Sequence, residues 1–263
     1  MTAGAVVRAD SVPVELTETG ASMRLLVDTS TDGPGLVRRL VTVPPGLRFA
    51  GTAGAAGELW FVLDGAGRLE LDGAAGPELT RDRGLWVPPG AAYDLAADGT
   101  GELSMDTVTL PPDVATARGA NHVPGLPTAP DPSTLPDPPA PLARDLAACD
   151  VEMTGDRKFR VLFGPGRGCS VATQFVGEIP PGRAPDHSHP YDEVVLILAG
   201  EGVAHVGGSQ HALAPGTCLH LPPGLQHCLE NTGPALLRVL GIFHPADSPA
   251  AKLPPPSEGA STS

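Results

Sequence analysis

Four side chains that commonly bind metals lie close together in the second half of the sequence. His187, His189 and Glu193 are separated by one and three residues, and His227 follows the turn sequence LPPG. Side chains alternate faces along a β-strand, so the first three are predicted to face one side, and His227 is placed to add a fourth ligand from a neighbouring strand. Three neutral imidazoles and one carboxylate suit one divalent transition metal per chain (Fe, Mn, Ni, Co or Zn) and leave positions for water or substrate.

The sequence around these residues is typical of an all-β protein. Its 33 glycines and 31 prolines punctuate short runs of valine and leucine. Segments 59–73 and 194–208 each predict a strand, a glycine turn and a second strand. Long helical periodicity is hard to find, so the predicted fold class is all-β.

Three segments of the first half recur in the second half in the same order. VPPG at 43–46 recurs as IPPG at 179–182, ELWFVLDGAG at 58–67 as EVVLILAGEG at 193–202, and WVPPG at 86–90 as HLPPG at 220–224. The offset drifts from 136 to 135 to 134 residues, as single-residue loop deletions would produce. This pattern predicts two tandem copies of one β module.

The predicted domain boundaries follow from a proline-rich segment between the two copies. Ten prolines fall within residues 111–142, which is typical of a stiff, partly extended linker. The resulting division is an N-terminal barrel with an N-terminal arm at 1–110, a linker at 111–144, a C-terminal barrel at 145–245 and a flexible tail at 246–263. Whether the first residues form an arm or an additional edge strand is left open.

Two motifs surround the four candidate ligands. The first runs Gly182-x4-His187-x-His189-x3-Glu193-x6-Gly200, and the second runs Gly216-x5-Pro222-x-Gly224-x2-His227-x3-Asn231. Both resemble the signature motifs of the cupin superfamily, apart from a spacing of four rather than five residues after Gly182. Together with the repeat, they make the chain similar to a bicupin. The resemblance implies one small jelly-roll barrel per copy, with the four ligands binding metal in the second barrel.

The first copy lacks most of these ligands. Glu58 stands at the position of Glu193, but Thr52 and Gly54 stand where the second copy has two histidines, and Tyr93 replaces His227. We therefore expect only the C-terminal barrel to bind metal. Glu58 is expected to hydrogen-bond to Tyr93 or Thr52, to take up a proton, or to reach solvent.

Both tryptophans fall in the first copy, at positions expected to face its interior. Trp60 shares parity with Glu58, and Trp86 stands at the position of His220. The favoured interpretation is that the two rings fill the first barrel as a core. An aromatic-lined pocket for another ligand is the alternative.

Several further residues are candidates for a site around the metal. Arg183 could clamp a substrate carboxylate, and His220 could serve as an acid or base. The candidate catalytic residues are His220, Tyr191 and Arg183, and the candidate substrate-binding residues are Gln174, Phe175 and Val195. One of Gln174 and Phe175 is expected to face the cavity, since the two are adjacent in a predicted strand.

The resemblance implies an enzyme but leaves its reaction open, because one fold serves many chemistries. The leading hypothesis is a metal-dependent dioxygenase-type oxidoreductase acting on a small organic molecule, since the ligand set suits a redox-active metal. A metal-dependent isomerase or cyclase and a decarboxylase are alternatives. Oxalate decarboxylase chemistry is less expected, because such family members keep ligands in both halves. A non-catalytic small-molecule or sugar binder is the rival class.

Composition excludes several other partners. The net charge of −13 disfavours nucleic acid, and no apolar run is long enough to span a membrane. The four cysteines are too sparse for a disulfide framework, and no secretory signal is evident, which predicts a cytoplasmic protein. Because cupins commonly pair through sheet edges, we expect a homodimer.

Overall fold

The computed structural model of the chain describes residues 4–30, 35–112 and 142–250. Most of the predicted linker and tail therefore lies outside the described residues. The described part is built from β-strands with two short 3-10 turns, as the all-β prediction requires. Within these ranges no helix is long and apolar enough to cross a membrane.

Each half of the chain contributes eleven strands. The first eleven are β1 Ala5–Arg8, β2 Glu15–Leu16, β3 Ser22–Asp28, β4 Val37–Val43, β5 Arg48–Thr52, β6 Glu58–Asp64, β7 Ala66–Leu71, β8 Ala74–Thr80, β9 Arg83–Val87, β10 Ala92–Ala97 and β11 Leu103–Thr109. The second eleven are β12 Ala143–Asp145, β13 Glu152–Thr154, β14 Arg157–Phe163, β15 Thr173–Ile179, β16 Gly182–Arg183, β17 Asp192–Ala199, β18 Gly202–Val206, β19 Ser209–Leu213, β20 Thr217–Leu221, β21 His227–Asn231 and β22 Leu237–His244.

The strands form two seven-stranded and two four-stranded sheets. The first barrel has the orders β12-β9-β6-β11-β4-β3-β2 and β5-β10-β7-β8, and the second has β1-β20-β17-β22-β15-β14-β13 and β16-β21-β18-β19. Adding eleven to each strand number converts the first barrel into the second, apart from the exchanged strands β1 and β12. This correspondence confirms two tandem copies of a jelly-roll barrel.

The opening strand of each copy belongs to the sheet of the other copy. In β1, Ala5 lies opposite His220 of β20, and in β12, Ala143 lies opposite Leu85 of β9. Strand β1 is thus an edge strand of the large sheet of the second barrel. The exchange ties the two barrels together through backbone hydrogen bonds in both directions.

The strand that carries Glu193 is buried on both faces. Val195 and Ile197 pack in the core of the second barrel, whereas Val194 and Leu196 pack in a cluster shared with the first barrel. A strand covered on both sides reads as an uninterrupted apolar run, which explains the sequence VVLIL. The second barrel therefore has an interior face and an interface face, and side chains on the two faces are separated by the sheet.

A buried ion pair fastens the interface between the barrels. The Arg38 guanidinium donates hydrogen bonds of 2.7 and 3.0 Å to the Asp106 carboxylate, and both side chains are fully buried. The same guanidinium donates to the backbone oxygen of Leu240 in the second barrel at 3.3 Å. Gln174 donates in the opposite direction, to the backbone oxygen of Trp60 at 3.1 Å.

Candidate metal centre

Backbone hydrogen bonds fix the loop that carries two of the candidate ligands. His187 and His227 form an isolated antiparallel bridge, with hydrogen bonds of 3.0 and 2.8 Å between their backbone groups. The backbone N–H of Gly224 donates to the backbone oxygen of His189 at 2.8 Å. The loop before β17 and the start of β21 are thereby held side by side, and Glu193 follows as the second residue of β17.

The four predicted ligands converge in space. The ring nitrogens that His187, His189 and His227 offer lie within 4.8 Å of one another. Oε2 of Glu193 lies 3.5 Å from Nε2 of His189 and 3.5 Å from Nε2 of His227. His189, Glu193 and His227 are all buried. The geometry therefore forms a compact cluster of three imidazoles and one carboxylate.

Backbone oxygens fix the tautomers of two of the histidines. Nδ1 of His187 lies 3.1 Å from the backbone oxygen of Pro185, and Nδ1 of His227 lies 2.8 Å from that of Leu225. A carbonyl oxygen only accepts hydrogen bonds, so each Nδ1 carries the hydrogen. The Nε2 lone pair of each neutral ring is then directed into the cluster, which is the arrangement found in metal-binding histidines.

A tyrosine plays the same part for the third histidine. The Tyr191 hydroxyl lies 2.9 Å from Nδ1 of His189 and donates to the backbone oxygen of Ser248 at 3.3 Å. Because the single phenolic hydrogen is directed at Ser248, the hydroxyl accepts from Nδ1–H of His189. The His189 ring also stacks on Tyr191, with centroids 4.8 Å apart and an interplanar angle of 11°. His189 is thereby oriented with Nε2 toward Glu193.

The cluster is suited to a cation. Oε2 of Glu193 is buried without a hydrogen-bond partner among the described residues. Burial alone would raise the pKa of Glu193, but its contact with His227 and the nearby charges of the imidazoles lower it below the usual value. Burial likewise opposes a charge on His227, but Glu193 raises the pKa of that ring overall. Both shifts favour an ionised carboxylate beside a positive charge, and a metal cation would supply that charge when the imidazoles are neutral.

Ligand spacing supports the same conclusion. Metal–nitrogen and metal–oxygen bonds of about 2.0–2.2 Å, at tetrahedral or octahedral angles, separate neighbouring ligand atoms by about 3–3.5 Å. The distances from Glu193 to His189 and His227 are 3.5 Å. The donor set therefore fits a divalent transition metal.

A cavity adjoins the cluster inside the second barrel. Its volume is ≈ 80 Å³, and a single water requires about 10–15 Å³ on the same scale. The cavity therefore admits several water-sized groups. Its lining is mainly apolar but includes two cations. The residues other than the ligands are Thr154, Arg157, Lys158, Phe159, Phe175, Gly177, Ile179, Val195, Leu221, Leu229, Val239, Phe243 and Pro249.

Two small residues make room for this cavity. At the repeat offsets, Gly177 corresponds to Val41, and Val195 corresponds to Trp60. Val41 and Trp60 are both buried in the core of the first barrel. Tyr93, which replaces His227, packs edge-on against Trp60 with ring centroids 4.8 Å apart. The first barrel is consequently filled where the second one is open.

Glu58 is satisfied by groups that the sequence did not indicate. Its carboxylate accepts hydrogen bonds from the Trp60 indole at 2.7 Å, the Thr109 hydroxyl at 3.2 Å and the Gly54 backbone N–H at 3.3 Å. The expectation that Tyr93 or Thr52 would hold it is wrong, because the indole of Trp60 folds back toward the residue two positions earlier on the same face.

Trp86 also departs from its predicted role. Its side chain packs against the cluster between the two barrels rather than inside the first barrel. On β9 it alternates with Leu85 and Val87, which occupy the interior. Only Trp60 of the two tryptophans fills the first barrel.

The remaining candidate site residues divide into two groups. Phe175 and Val195 line the cavity, and Tyr191 lies behind His189. His220 does not face the cavity, because it alternates with the interior residues Leu219 and Leu221.

Three contacts place the excluded candidates elsewhere. Nε2 of His220 lies 2.9 Å from Oδ1 of Asp192, on the face of the sheet that is turned away from the interior of the second barrel. Arg183 is exposed and pairs with Asp186. Gln174 is directed into the interface between the barrels, so Phe175 is the member of that adjacent pair that reaches the cavity.

Sequence reasoning missed the contribution of β14 to the cavity. Arg157 and Phe159 share parity on this strand, and both line the cavity. The alternation was visible in the sequence, but nothing local indicated that this strand would lie beside the metal ligands. Phe243, at the end of the last strand, was missed for the same reason.

Comparisons with known proteins support the fold. The family model described as the cupin domain matches residues 175–243. Oxalate decarboxylase of Lactobacillus farciminis superposes with a TM-score of 0.69 at 16% identity, covering 92% of this chain and 86% of that one. Oxalate decarboxylase of Bacillus subtilis superposes with a TM-score of 0.72 at 14% identity, covering 96% and 80%.

A third solved structure is similar over nearly its whole length. It is a protein from Pseudomonas aeruginosa described as glyoxylate-induced, with a TM-score of 0.73 at 14% identity and coverage of 94% and 91%. Among curated protein sequences there is no match. Identities this low establish the shared fold of the two barrels.

Proposed function

We propose that this protein, a member of the cupin superfamily, is a metal-dependent enzyme that acts on a small organic molecule in its second barrel. The observation that carries the proposal is that all four ligands of the cluster line a cavity. Metal sites that serve structure alone are closed by their protein ligands and need no adjoining space. Here the ligands His187, His189, Glu193 and His227 end at the inner wall of an open cavity.

The chain's own residues would orient both ion and substrate. When bound, a divalent transition metal supplies Lewis acidity, or electron transfer if it is redox-active. Tyr191 and two backbone oxygens hold the imidazoles in their ligating tautomers. The apolar walls exclude water from the space in which a substrate would lie, which strengthens the electrostatic interactions made there.

Decarboxylation is the reaction that we favour. Two of the solved structures on which the chain superposes are oxalate decarboxylases. Loss of carbon dioxide leaves an electron pair on the substrate, and this charge would be stabilised by a Lewis-acidic metal held by the four ligands before a proton is added. The absence of metal ligands in the first barrel argues against oxalate itself as the substrate.

A dioxygenase is the second candidate. Three histidines and one glutamate suit a redox-active iron or a related metal, and this donor set is the observation in its favour. The two candidates differ in their need for molecular oxygen as a substrate.

One experiment separates the candidate functions. Protein purified without chelators is assayed for metal content and for turnover of a panel of small carboxylates, with and without oxygen. We expect about one metal ion per chain and oxygen-independent release of carbon dioxide that is lost with EDTA and restored by the metal. Oxygen consumption matched to product would favour the dioxygenase. A metal content well below one ion per chain, not raised by adding iron, manganese, nickel, cobalt or zinc, would favour a non-catalytic binder.

We further propose that two copies of the chain form a dimer through the sheet edges β2 and β13. The two edges carry similar short sequences, VELT at 14–17 and VEMT at 151–154, which differ only at the third residue. Leu16 and Met153 are 75% and 53% exposed. Exposed apolar residues on a strand edge favour pairing with another strand, and a second copy offers the matching edge.

A further inference from the structure

Two cations line the cavity of the second barrel, the exposed Lys158 and the partly buried Arg157, and Arg157 is the more enclosed binding group. Its Nη2 donates to the backbone oxygen of Leu229 at 2.8 Å, and within the described ranges no aspartate or glutamate pairs with it. Burial lowers the pKa of Arg157, although the charge of Asp156 opposes the shift. A guanidinium in this setting gains by binding an anion.

Most arginines in the described part of the chain are paired with a carboxylate. Arg160, on the same strand as Arg157 but on its opposite face, lies 3.4 Å from Glu178. Arg183 lies 3.2 Å from Asp186. Three other arginines also lack a carboxylate partner among the described residues, but none of them lines the cavity: Arg24, Arg39 and Arg144. Arg157 is distinguished by lacking this partner at the cavity wall.

The first barrel has no counterpart to this cation. Thr42 and Glu178 are equivalent positions, because they differ by 136 residues, the offset between the VPPG and IPPG turns. Across the neighbouring strand pair, Thr42 lies opposite Ser22, and Glu178 lies opposite Lys158. Lys158 therefore corresponds to Ser22, and Arg157 corresponds to Ala21. Ala21 is fully buried in the core of the first barrel. The cation occurs in the copy that has the ligand cluster and the cavity, and not in the filled copy.

The other residues that line the cavity favour a ligand whose remaining part is apolar. Phe159, Phe175 and Phe243 form an aromatic group in which the ring centroids of Phe175 and Phe243 are 4.8 Å apart. Leu221, Leu229 and Val239 complete the apolar surface. A ligand that places a carboxylate at Arg157 covers these walls only if the rest of it is apolar, since burying a second charge there would be costly.

We propose that the substrate is a small monocarboxylate with an apolar body, bound by Arg157 through its carboxylate and by the aromatic and aliphatic walls through its body. That the bound monocarboxylate is a substrate rests on the proposed function, whereas its binding requires no turnover. The size of the cavity fits a body of a few carbon atoms. The inference differs from the substrate named for the oxalate decarboxylases, which is a dianion without apolar atoms.

Three probes of six non-hydrogen atoms test the inference. Isobutyrate has one carboxylate and an apolar body, isobutyramide has the same shape without the charge, and oxalate has two carboxylates and no apolar body. Binding of each is measured by calorimetric titration of the full-length chain, in both the metal-loaded and the EDTA-treated protein. The EDTA-treated protein removes any contribution of direct metal–carboxylate contact.

We expect isobutyrate to bind at least tenfold more tightly than isobutyramide or oxalate in the EDTA-treated protein. Arg157→Gln, which keeps an N–H donor near Leu229, should lower isobutyrate affinity at least tenfold and leave isobutyramide affinity unchanged. Arg160→Gln is the matched control on the opposite face of the strand and should have no effect. Equal binding of the acid and the amide, tighter binding of oxalate, or unchanged isobutyrate affinity in Arg157→Gln would overturn the inference.

The outcomes distinguish this inference from the proposed function. Arg157-dependent binding of isobutyrate without turnover of any carboxylate would support the binding inference and contradict the proposed enzymatic function. Metal-dependent turnover of a carboxylate that is unaffected by Arg157→Gln would do the reverse.

Discussion

The phenolic oxygen of Tyr191 lies 2.9 Å from Nδ1 of His189. The same oxygen donates to the backbone carbonyl of Ser248, which lies beyond the last strand of the second barrel. A hydrogen-bonded chain therefore runs from the segment after β22, through one side chain, to a ring that faces Glu193. The carboxy-terminal segment contributes to the orientation of a metal ligand, and Pro249 of that segment also lines the cavity.

Tyr191→Phe should weaken metal binding while preserving the fold. The change removes the acceptor for Nδ1–H of His189 but keeps the ring that stacks on it, so His189 loses its fixed tautomer and orientation. Loss of a hydrogen-bond partner behind a metal ligand lowers affinity about 10- to 100-fold. Competition with a chromophoric chelator measures the change. Tyr93→Phe, the same substitution in the first barrel, is the control and should leave metal affinity unchanged.

Replacing the ligands should remove metal, and replacing their counterpart in the first barrel should not. His189→Ala and His227→Ala each delete one donor from a set of four, so metal per chain should fall well below one in each variant. The barrel should remain folded, because its apolar core does not depend on the ion. Elemental analysis of the purified variants measures the stoichiometry. In Glu58→Gln the stoichiometry should stay near that of the wild type, and two ions per wild-type chain would contradict the assignment.

The metal ligands could be predicted because their chemistry and their spacing are both local. His187, His189 and Glu193 lie within seven residues, and strand parity predicted one common face for them. In the structure only Glu193 of the three lies in a strand, and the two histidines reach the cluster from the loop before it, held by backbone hydrogen bonds to β21 and the preceding turn. The repeat likewise predicted two barrels, because its segments recur in order. The partners of Glu58 and the orientation of Trp86 depended on which face of a strand is turned toward the other barrel. That choice is made by contacts between distant parts of the chain.

The exchanged strands illustrate the same limit. β1 pairs with β20, more than 200 residues away, and nothing in its four residues specifies that partner. Arg157 entered the site in a similar way, since its strand lies beside the ligands only in the folded barrel. Register and pairing are collective properties of the sheet, and the sequence of one strand does not contain them.

Asp106→Ala should destabilise the protein strongly. The change leaves the fully buried Arg38 guanidinium without its carboxylate at the junction of the two barrels, and breaking a buried ion pair in this way costs about 3–5 kcal/mol. Urea unfolding measures the loss. The double variant Arg38→Met/Asp106→Ala removes both charges and should recover part of the stability. A single variant as stable as the wild type would show that the pair does not hold the interface.

The thiol of Cys218 reports on the same interface. It is fully buried, and burial raises its pKa to about 11, although Arg38 opposes the shift. At pH 8 the thiol is therefore protonated and should react slowly with iodoacetamide, since the thiolate is the nucleophile. Its labelling should become faster in Asp106→Ala if that change loosens the junction between the barrels.

Dimer formation should depend on the two exposed sheet edges. Leu16→Lys in β2 and Met153→Lys in β13 each place a charge on an edge that we propose to be covered by a second copy, and lysine on a strand edge opposes pairing. Light scattering across a concentration series should show a dimer for the wild type and a shift toward monomer for each variant. Leu236→Lys, at an exposed leucine outside the strands, should remain a dimer. A wild-type monomer at all concentrations would remove the proposal.

Converting the second barrel toward the first should close the cavity, and Gly177→Val should do so without loss of the metal. Val195 stands where the first barrel has Trp60, and Gly177 stands where it has Val41, so the fold already accommodates the larger residues in one copy. In Gly177→Val the new Cβ would meet Cγ2 of Val239 at 3.0 Å, which requires a small shift of that side chain. Overpacking of this kind costs about 1–3 kcal/mol, which a folded barrel can tolerate.

We expect Gly177→Val to retain about one metal ion per chain, because it leaves the four ligands unchanged. Val195→Trp should lower the metal content, because the new indole would donate to Glu193 as Trp60 donates to Glu58. Both should abolish isobutyrate binding, since the indole or the isopropyl group occupies the space that the ligand needs. Metal analysis, calorimetric titration and urea unfolding on the same preparations separate a filled cavity from a misfolded barrel. If either variant kept its metal and still bound isobutyrate with wild-type affinity, the cavity would not be the binding site, because filling that space must exclude any ligand that lies in it.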